Sequence, residues 1–567
     1  MTYLLRSAVT MAACVVLAHA PTDAQTTAAP ATPAPATPAP AVPTRPIDTA
    51  GLAAGLPYAE TITADELREL AYALASDRFQ GRETGTEGQR LAARYLAGHL
   101  ADMGLPPVGA DGGYEQPIAL ERTRFEKFAF DVGDRDQERG RTFYAFPSET
   151  YDLDLESDDV LYLGYGIRAD GYDDYARAGD LEGRMAVVLA GEPFREDGTS
   201  LVTGTRDTSA WSGDDGLKRA AAEEAGLAVL FIVEPAFQRQ LAANRSRTIE
   251  SGMRPVPPDA LDVRPLEATG TTVIHISPTV YEQMLGKRRR RVVKTRERIA
   301  RRGRPGRPVE LPREVELKIE VERQRLEGSN VLGYVEGSDP ALRDEVVVVS
   351  AHYDHLGTRG RDVFYGADDN ASGSSTVVEI AEAFATAAAE GNGPRRSVLL
   401  LWVSGEEKGL LGSEYYADYP VFPLDKTMAD VNIDMIGRYD EAHADSAAYI
   451  YVIGAGRISP DLDSVTRAMN RHTAGYALDY TYDAEDDPNR FYYRSDHYNF
   501  AKSGIPSVFF FSGVHEDYHR PGDTPDKLDY DKMATVGRHA FLIAWNLANR
   551  DGDLNRKPAT TGPADGR

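Results

Sequence analysis

The sequence predicts an α/β fold in which a mostly parallel-stranded, mixed sheet is flanked by helices, with a β-rich segment inserted into it. After residue 328, apolar runs of strand length alternate with helical stretches such as residues 373–389. Such alternation is typical of parallel sheets covered by helices on both faces. Residues 125–326 differ, because short β-like runs are separated there by Gly, Asp and Pro. The 567 residues, 42% of them hydrophobic and 27% charged, are enough for two or three domains.

The first twenty residues have the pattern of an export signal. Arg6 supplies the positive end, residues 8–18 form an apolar stretch, and Ala18-His19-Ala20 offers a cleavage site. We therefore expect a periplasmic or extracellular protein. A lipoprotein anchor at Cys14 is the less favoured alternative, because the apolar run continues beyond this cysteine. Cleavage after residue 20 would leave no cysteine, which excludes a cysteine hydrolase and disulfides.

The rest of the chain divides by composition. Residues 26–44 are almost entirely Ala, Thr and Pro and predict a linker, while Thr63 and Glu66 form a capping box ahead of a helix. A second helix is predicted over residues 89–103. No stretch after the signal reaches the ~18 apolar residues of a membrane span. The predicted boundaries are a signal at 1–20, a linker at 21–56, a first part of the α/β domain at 57–124, an insertion at 125–326, the main part of the α/β domain at 327–550 and a disordered tail at 551–567.

Polar motifs follow the predicted strands of the last part. Glu406 and Glu407 come directly after an apolar run, and adjacent residues there point to opposite sides of the chain. One carboxylate can then bind a metal while the other moves a proton. Ligands of open α/β sheets bind beyond the carboxyl ends of the strands. The other segments at such ends are AHYDHLG (His352, Asp354, His355), YGADDNASG (Asp368, Asp369), NIDMIG (Asp434) and DYHRPGDT (Tyr518, His519).

These segments, in the order His, Asp, Glu-Glu, Asp, His, resemble the co-catalytic zinc aminopeptidase and glutamate carboxypeptidase-II-like family. The resemblance covers about residues 329–549 and implies two Zn²⁺ ions per chain. It implies that Asp369 bridges the ions, with His352 and Asp434 completing one and Glu407 and His519 the other.

The resemblance also implies three catalytic roles. Glu406 would be the general base, Tyr518 would hydrogen-bond the oxyanion, and Asp354 would orient the imidazole of His352. Together with the export signal, it implies an exported exopeptidase, foremost an aminopeptidase, that hydrolyses peptide bonds with a metal-bridging hydroxide. Alternatives within related folds are a glutamate-type carboxypeptidase, a glutaminyl-cyclase-like enzyme with one zinc, and a binding protein without activity. A carboxypeptidase would need an arginine cluster, for which Arg438 and Arg494 are candidates.

Several acidic and histidine residues near the motifs have simpler interpretations. Asp368, Glu414 and Asp418 are expected to be solvated charges. His355 is expected to be a polar loop residue near the site, with a ligand role as the alternative. Two further residues, Asp496 and His497, match a family Ser-Asp-His element and are expected in the pocket wall rather than as ligands.

Two rival interpretations have weaker support from the sequence. Residues 515–519, His-Glu-Asp-Tyr-His, fit the single-zinc H-E-x-x-H pattern, but that motif needs a helix, and here a β-like run precedes it and Pro521-Gly522 follows. A serine hydrolase is disfavoured because the chain contains no Gly-x-Ser-x-Gly elbow.

The inserted segment resembles the protease-associated domain, through the runs VLYLGYGI, MAVVLAG and LAVLFIV. Beside it lies a basic run at residues 287–307, interpreted as a solvated helix and loop or, alternatively, as a docking patch for an acidic surface. The net charge of −25 argues against nucleic acid as a partner. Peptides are the expected substrates; the side-chain preference and the oligomeric state stay open.

Overall fold

The computed structural model describes residues 47, 49–213, 215–244, 252–258, 270–444, 446 and 448–558. The helices are α1 (Thr49–Ala59), α2 (Ala64–Leu74), α3 (Glu87–Asp102), α4 (Asp215–Glu224), α5 (Phe237–Ala243), α6 (Pro278–Leu285), α7 (Arg289–Arg302), α8 (Gly373–Ala389), α9 (Leu411–Asp418), α10 (Pro460–Asn470), α11 (His497–Lys502) and α12 (Tyr530–Asn549). The strands up to the middle of the chain are β1 (Glu115–Val132), β2 (Phe143–Tyr144), β3 (Leu153–Ser157), β4 (Val160–Tyr162), β5 (Arg168–Ala169), β6 (Tyr172–Asp173), β7 (Met185–Leu189), β8 (Val229–Val233), β9 (Gly252–Pro255), β10 (Thr272–Ile276), β11 (Val309–Leu311) and β12 (Val315–Val335). The later strands are β13 (Val346–His352), β14 (Thr358–Arg359), β15 (Asp362–Val363), β16 (Ser397–Val403), β17 (Thr427–Ile433), β18 (Tyr449–Ile453), β19 (Ala477–Asp479) and β20 (Ser507–Phe511).

The larger sheet has ten strands in the order β19-β18-β20-β17-β13-β16-β12-β1-β9, with β3 paired to β12 outside this path. Its centre is parallel, because β13 pairs in parallel with both β16 and β17, and β17 pairs in parallel with β20. Every residue of β13, β16 and β17 is buried, which explains why the sequence shows them as continuous apolar runs. The predicted α/β fold class is confirmed.

Helices close the main core on one side of this sheet. The buried helices α8 and α12 pack on the central strands and contribute to one large cluster of apolar side chains. The N-terminal helices belong to the same cluster, since the rings of Tyr58 and Trp545 lie 5.7 Å apart and Leu67 and Leu96 are fully buried. Residues 49–102 are therefore part of the core that carries the catalytic motifs.

The capping prediction at Thr63 is confirmed, and the start predicted for the folded part is wrong. The Thr63 hydroxyl accepts the Glu66 amide N–H, as the N-cap of a capping box does, and it also donates to the Glu66 carboxylate. However, residues 49–56, predicted as linker, lie in α1. A Cβ at Gly55 would lie 2.6 Å from the Trp545 ring, so a small residue is required where α1 packs on α12. The small residues of α1, which follow the Ala-, Thr- and Pro-rich run that suggested a linker, allow this close approach.

A second sheet has six strands in the order β11-β4-β7-β8-β10-β2, and its central four are parallel. It has its own buried cluster, to which Phe130, Val315 and Leu317 contribute from the outer ends of β1 and β12. These two long antiparallel strands pair from Glu115 opposite Val331 to Val132 opposite Val315, and they join the two sheets. The likeness of this segment to a protease-associated domain, and the boundaries 125–326, stay predictions.

The end of the described chain also departs from expectation. Residues 551–558, predicted as part of a disordered tail, lie against the protein: Leu554 is buried, and the Asn555 amide donates to Asp461 at 2.8 Å. The predicted signal peptide, Cys14 and residues 559–567 lie outside the described residues. Within the described part of the chain, no helix is long and apolar enough to cross a membrane.

Candidate metal centre

The carboxyl edge of the parallel strands brings the predicted motifs together. His352 is the last residue of β13, Glu406 and Glu407 follow β16, and Asp434 follows β17. Parallel strands end at one edge of a sheet, so side chains from distant segments meet there. The two remaining predicted ligands come from loops at the same edge, Asp369 from a turn of helix just before α8 and His519 from the loop after β20.

The imidazole of His352 lies between two buried carboxylates. Its Nε2 atom lies 3.3 Å from Asp369 Oδ1 and 3.2 Å from Asp434 Oδ1. Burial disfavours an imidazolium, yet the Asp434 and Glu406 carboxylates raise the pKa of His352 well above its usual value. The surroundings therefore favour a positive charge at this point.

The imidazole of His519 has the same kind of position on the other side of Asp369. Its Nε2 atom lies 3.1 Å from Asp369 Oδ2 and 3.1 Å from Glu407 Oε2. Burial opposes a charged imidazole, but the Glu407 and Asp369 carboxylates raise the pKa of His519 to about 11. The two oxygens of Asp369 thus face two different histidines.

A further histidine, His355, also reaches this second group. Its Nδ1 atom lies 2.7 Å from Glu407 Oε1 and 3.9 Å from Asp369 Oδ2, so the three residues form a candidate metal cluster by distance. Among the described residues, neither His355 Nδ1 nor Glu407 Oε1 has an aligned hydrogen-bond partner. His355 is therefore a fully buried part of the site rather than an ordinary polar loop residue.

The donor atoms fit zinc in type, spacing and charge. Zinc accepts imidazole nitrogen and carboxylate oxygen at about 2.0–2.2 Å, so neighbouring donors of a tetrahedral site lie about 3.3 Å apart. The four contacts that Asp369, Asp434 and Glu407 make with His352 and His519 measure 3.1–3.3 Å. The 2.7 Å contact of His355 is too short for this spacing, which favours His519 as the ligand. Burying these carboxylates is costly unless cations accompany them.

Glu406 lies beside these donors with its side chain 12% exposed. Its Oε2 atom lies 4.0 Å from His352 Nε2. Burial raises the pKa of the Glu406 carboxyl well above its usual value, and the nearby Asp434 and Glu407 charges add to this effect. A carboxyl with a raised pKa beside a substrate cavity is suited to accept and return a proton.

Asp354 links the His352 strand to the loop that carries the base. Its Oδ1 atom accepts the backbone N–H of Glu406 at 3.2 Å, and its Oδ2 atom accepts the hydroxyl of Thr84 at 2.8 Å. The imidazole Nδ1 of His352 lies 3.2 Å from the Asp354 carbonyl and 3.7 Å from its carboxylate. The atom of Asp354 nearest to the His352 imidazole is therefore its main-chain oxygen. Its carboxylate instead accepts the backbone N–H of Glu406.

Arg82, which no sequence motif indicated, fixes two of the metal-site loops. Its buried guanidinium donates to the carbonyls of Tyr353 at 2.7 Å, Tyr365 at 2.8 Å and Gly366 at 2.8 Å. It also donates to Leu74 at 2.7 Å, and burial lowers the pKa of Arg82 to about 10. Arg82 thus ties the end of α2 to the segments that carry His352 and Asp369.

The expectation that Asp368 is a solvated charge is wrong. It is fully buried, its Oδ1 atom accepts the Gly437 N–H at 2.6 Å, and its Oδ2 atom lies 3.3 Å from His515 Nε2. The backbone N–H groups of Asp368 and Asp369 donate to Asp523, at 3.0 and 3.1 Å. This network orients the turn that presents Asp369. Of the other two predicted solvated charges, Asp418 is exposed and Glu414 is half-buried.

The Ser-Asp-His element lies behind the donors. Ser495 donates to Asp434 Oδ2 at 2.7 Å and so orients this carboxylate. Asp496 and His497 are fully buried, and neither belongs to a candidate metal cluster of the described residues. Burial raises the pKa of Asp496 to about 7 and lowers the pKa of His497 to about 3, so His497 is neutral.

The rival H-E-x-x-H pattern lacks the helix it requires. Residues 515–519 lie in a turn, His515 contacts Asp368, and the Glu516 side chain is 79% exposed. Only His519 of this pattern reaches the donors described above.

A cavity opens beside the donors, with one polar and one apolar side. Asp369, Glu406 and Asp434 line the polar side, and Tyr518 stands at its rim with its hydroxyl 3.3 Å from the Arg494 guanidinium. Burial raises the pKa of Tyr518 well above its usual value, so the hydroxyl keeps its proton. The apolar lining comes from Met435, Phe491, Phe509, Phe511 and Val514.

Known proteins resemble the part of the chain that carries these residues. Residues 330–544 match the family model described as Peptidase family M28. The chain is 31% identical over 215 residues to a "Probable leucine aminopeptidase" of Arthroderma otae, a match that covers 37% of this chain and 56% of that protein. It is 29% identical over 261 residues to a "Probable zinc metalloprotease" of Pyricularia oryzae, covering 39% of this chain and 50% of the relative. The chain thus spans about half the length of these curated relatives.

The fold extends the likeness beyond this segment. The solved structure of an aminopeptidase from Aneurinibacillus sp. strain AM-1 aligns with a TM-score of 0.53 and 17% identity, over 88% of this chain and 97% of that one. At this identity the match concerns the fold alone. The predicted family resemblance is confirmed by the sequence match, since residues 330–544 match the model of peptidase family M28.

Proposed function

We propose that this chain is a zinc aminopeptidase with two metal ions, which releases apolar residues from the amino terminus of peptides. The observation that carries the proposal is the sharing of Asp369, whose two oxygens face the histidines of two separate donor groups. His352 and Asp434 complete one group, and Glu407 and His519 complete the other. Two divalent ions would balance the four carboxylates that converge here, Glu406 included.

Bound zinc would supply Lewis acidity toward the scissile carbonyl and would acidify a water molecule. The remaining steps fall to side chains. Glu406 takes a proton from the attacking water and returns it to the leaving amine, for which its buried carboxyl with a raised pKa is suited. Tyr518, which keeps its hydroxyl proton, donates a hydrogen bond to the developing oxyanion.

The charge of the cavity favours an amino terminus over a carboxyl terminus. The cavity lining contains one arginine, whereas a carboxypeptidase needs several to hold the carboxylates of its substrate. Of the two candidate arginines, Arg438 is directed to Glu516 and Asp517 and does not line the cavity. Arg494 does line it, and this single cation is the observation in favour of a carboxypeptidase.

The lining also indicates the preferred side chain. Three phenylalanines, Met435 and Val514 surround the space next to the carboxylates. The cavity measures about 30 Å³, so a Leu or Phe side chain enters it only when the lining side chains move apart; its burial then gains about 1.5–3 kcal/mol relative to water. We therefore propose Leu, Met and Phe as preferred first residues and expect Asp and Glu to be poor ones.

A panel of chromogenic amides tests this function. The purified chain should cleave leucyl-p-nitroanilide, lose this activity with a chelator and regain it with Zn²⁺. N-acetyl-leucyl-p-nitroanilide, which lacks the ammonium, should not be cleaved. Release of glutamate from N-acetylated peptides that end in Glu, without leucyl-p-nitroanilide cleavage, would refute the aminopeptidase and support the carboxypeptidase.

We also infer that the enzyme acts outside the cytoplasm, from the signal pattern of residues 1–20. The amino-terminal sequence of protein recovered from the periplasm or medium should begin at Pro21. Retention in the cytoplasm with an intact amino terminus would contradict export.

A further inference from the structure

A deep groove with an unusual charge runs along α7 and the loop that follows it. Its volume is about 940 Å³, and it is lined by ten basic side chains and no acidic one. The basic run at residues 287–307 contains twelve Lys or Arg residues and one Glu, a net charge of +11 in a chain whose total is −25. The peptidase site does not use this groove, because none of its lining residues lines the catalytic cavity.

The packing of α7 aims its cations into the groove. Val292, Thr295 and Ile299 are the buried residues of this helix. Four exposed cations, Arg290, Lys294, Arg298 and Arg302, follow one another at intervals of four residues and so form one stripe. Like charges at this interval destabilise a helix by about 0.2–0.5 kcal/mol per pair, so the stripe is costly in the free protein.

These cations lack internal counter-ions. In the part of the chain that the structure describes, none of the ten lining cations forms an ion pair, whereas neighbouring Arg289, outside the groove, pairs with Glu282 at 2.7 Å. Unpaired cations that face one another across a concave surface repel, and an anionic ligand relieves that repulsion. Eight of the ten are arginines, whose planar forks match carboxylates bidentately.

We propose that this groove is a docking site for an acidic polypeptide segment. Successive cations of the stripe are four residues apart, and a helix rises about 1.5 Å per residue, so these cations lie about 6.0 Å apart along the helix axis. Alternate side chains of an extended peptide lie about 6.6 Å apart on one face, so a run of Asp or Glu can meet the stripe in register. The site is independent of the peptidase activity proposed above.

Two other polyanions fit less well. A nucleic acid would extend beyond the groove onto a surface whose net charge is negative. A membrane is flat and cannot enter a concave groove, and Val293 is the one large apolar side chain among the exposed residues of α7 available for insertion. A short acidic peptide can place all its charges inside the groove.

Fluorescence anisotropy with the full chain tests the proposal. The probe is a fluorescent octaglutamate peptide, acetylated and amidated so that it cannot serve as a peptidase substrate. We expect binding at low ionic strength that weakens steeply with salt. The variant R290Q/K294Q/R298Q/R302Q should bind about tenfold more weakly, since each exposed charge pair contributes a few tenths of a kcal/mol.

A matched control separates the groove from net charge. The variant R141Q/R206Q/R471Q/K502Q removes three arginines and one lysine that are exposed elsewhere, and it should change binding less than about twofold. Circular dichroism must show both variants folded. Equal weakening by the two variants, or no binding at low salt, would overturn the proposal. Tighter groove-dependent binding of a DNA oligonucleotide or of phosphatidylglycerol vesicles would overturn the choice of partner.

Discussion

At the scale of single residues, Glu406 and Glu516 offer a direct comparison. Glu406→Gln keeps the shape of the side chain but removes the proton acceptor, so kcat should fall by about 100- to 10,000-fold. KM and zinc content should change little, because Glu406 is not among the proposed ligands. Glu516→Gln changes an exposed residue that contacts only Arg438 at 3.3 Å and should leave kcat intact. A large loss from Glu516→Gln, with Glu406→Gln active, would restore the single-zinc interpretation.

The second donor group contains two histidines, and metal analysis distinguishes them. His519 lies at the donor spacing expected for zinc, while His355 lies closer to Glu407. His519→Ala should therefore lower the zinc content from about two ions to about one per chain. His355→Ala should retain both ions. It should lower the affinity for the second ion by a smaller factor than the loss of a ligand would, because it removes only a neighbour of a ligand.

Inductively coupled plasma mass spectrometry after dialysis measures this content. Loss of one ion from His355→Ala, together with two ions in His519→Ala, would make His355 the ligand. A wild-type content of one ion per chain would instead reopen the glutaminyl-cyclase-like alternative.

The five proposed ligands were predicted through the resemblance to a family, which rests on short motifs that follow predicted strands or precede a helix. Asp369, for example, stands in a polar loop just before a helix and after a Gly. Arg82 and Thr84 could not be found this way, since their partners lie about 270 residues away in sequence. Their contacts depend on how the N-terminal helices pack, which local patterns do not encode. Asp368 was misjudged for the same reason, because its partners come from distant loops.

At the scale of secondary structure elements, the turn between α2 and α3 should control the metal-site loops through Arg82. Arg82→Lys keeps a charge but can satisfy fewer than the four carbonyls that the guanidinium reaches. Buried carbonyls without partners cost about 1–3 kcal/mol each, so the free energy of unfolding should fall by about 2–4 kcal/mol. Zinc should also dissociate faster, because the Tyr353 and Gly366 segments carry ligands. Urea unfolding and a zinc competition assay with a chelating dye measure the two effects.

Arg78→Lys is the matched control on the same turn, since Arg78 is exposed. It should change neither quantity. If Arg82→Lys lowers stability but leaves zinc release unchanged, Arg82 stabilises the fold without positioning the loops.

Strand β17 contains a buried acid, Asp430, that makes stability depend on pH. Burial raises the pKa of Asp430 to about 8 from its ordinary value of 3.8. The folded state therefore holds a proton that the unfolded state loses, and stability falls as pH rises from about 4 to about 8. Asp430→Asn mimics the protonated form. It should become progressively more stable than wild type over this window, by up to about 1.4 kcal/mol per pH unit.

Urea unfolding of both proteins at pH 5, 6, 7 and 8 tests this effect. Ser350, which donates to Asp430 at 2.7 Å, should keep its hydrogen bond in the variant. Parallel stability profiles for the two proteins would show that Asp430 is ionised in the folded state.

The elements themselves could largely be predicted where the sequence is periodic or continuously apolar. The predicted helix 373–389 coincides with α8, and the apolar runs match β13, β16, β17, β18 and β20. Helix α1 was missed because its sequence, TAGLAAGLPYA, contains two glycines and a proline and follows closely on the Ala-, Thr- and Pro-rich run. Its packing on Trp545 decides its conformation. The length of β1 and β12 was also missed, since only their pairing keeps such polar stretches extended.

At the scale of the whole molecule, the two cores are independent in composition. The main cluster takes no residue from 115–330, whereas the second takes its residues from 125–321. The ribbon of β1 and β12 crosses from one core to the other. Because the cores share no buried residue, we predict that the part carrying the metal site folds without the second sheet.

The ribbon offers two places to test this by excision. Arg124 pairs directly with Glu322, so residues 125–321 can be replaced by an Asn-Gly turn that joins these positions. The shortened chain should be soluble, bind about two zinc ions and cleave leucyl-p-nitroanilide in a chelator-sensitive way. A modest loss of stability is expected, because β9 and its Met253 no longer cover Ile118 and Leu120.

The second cut is the control. Val132 pairs with Val315, so an Asn-Gly turn can also replace residues 133–314. This longer ribbon keeps Phe130 and Leu317, which are buried only against the second core, and it should aggregate. Size-exclusion chromatography and zinc analysis of the two variants decide the outcome. If the shorter variant also aggregates or loses zinc, the metal site depends on the second sheet and the two cores are one folding unit.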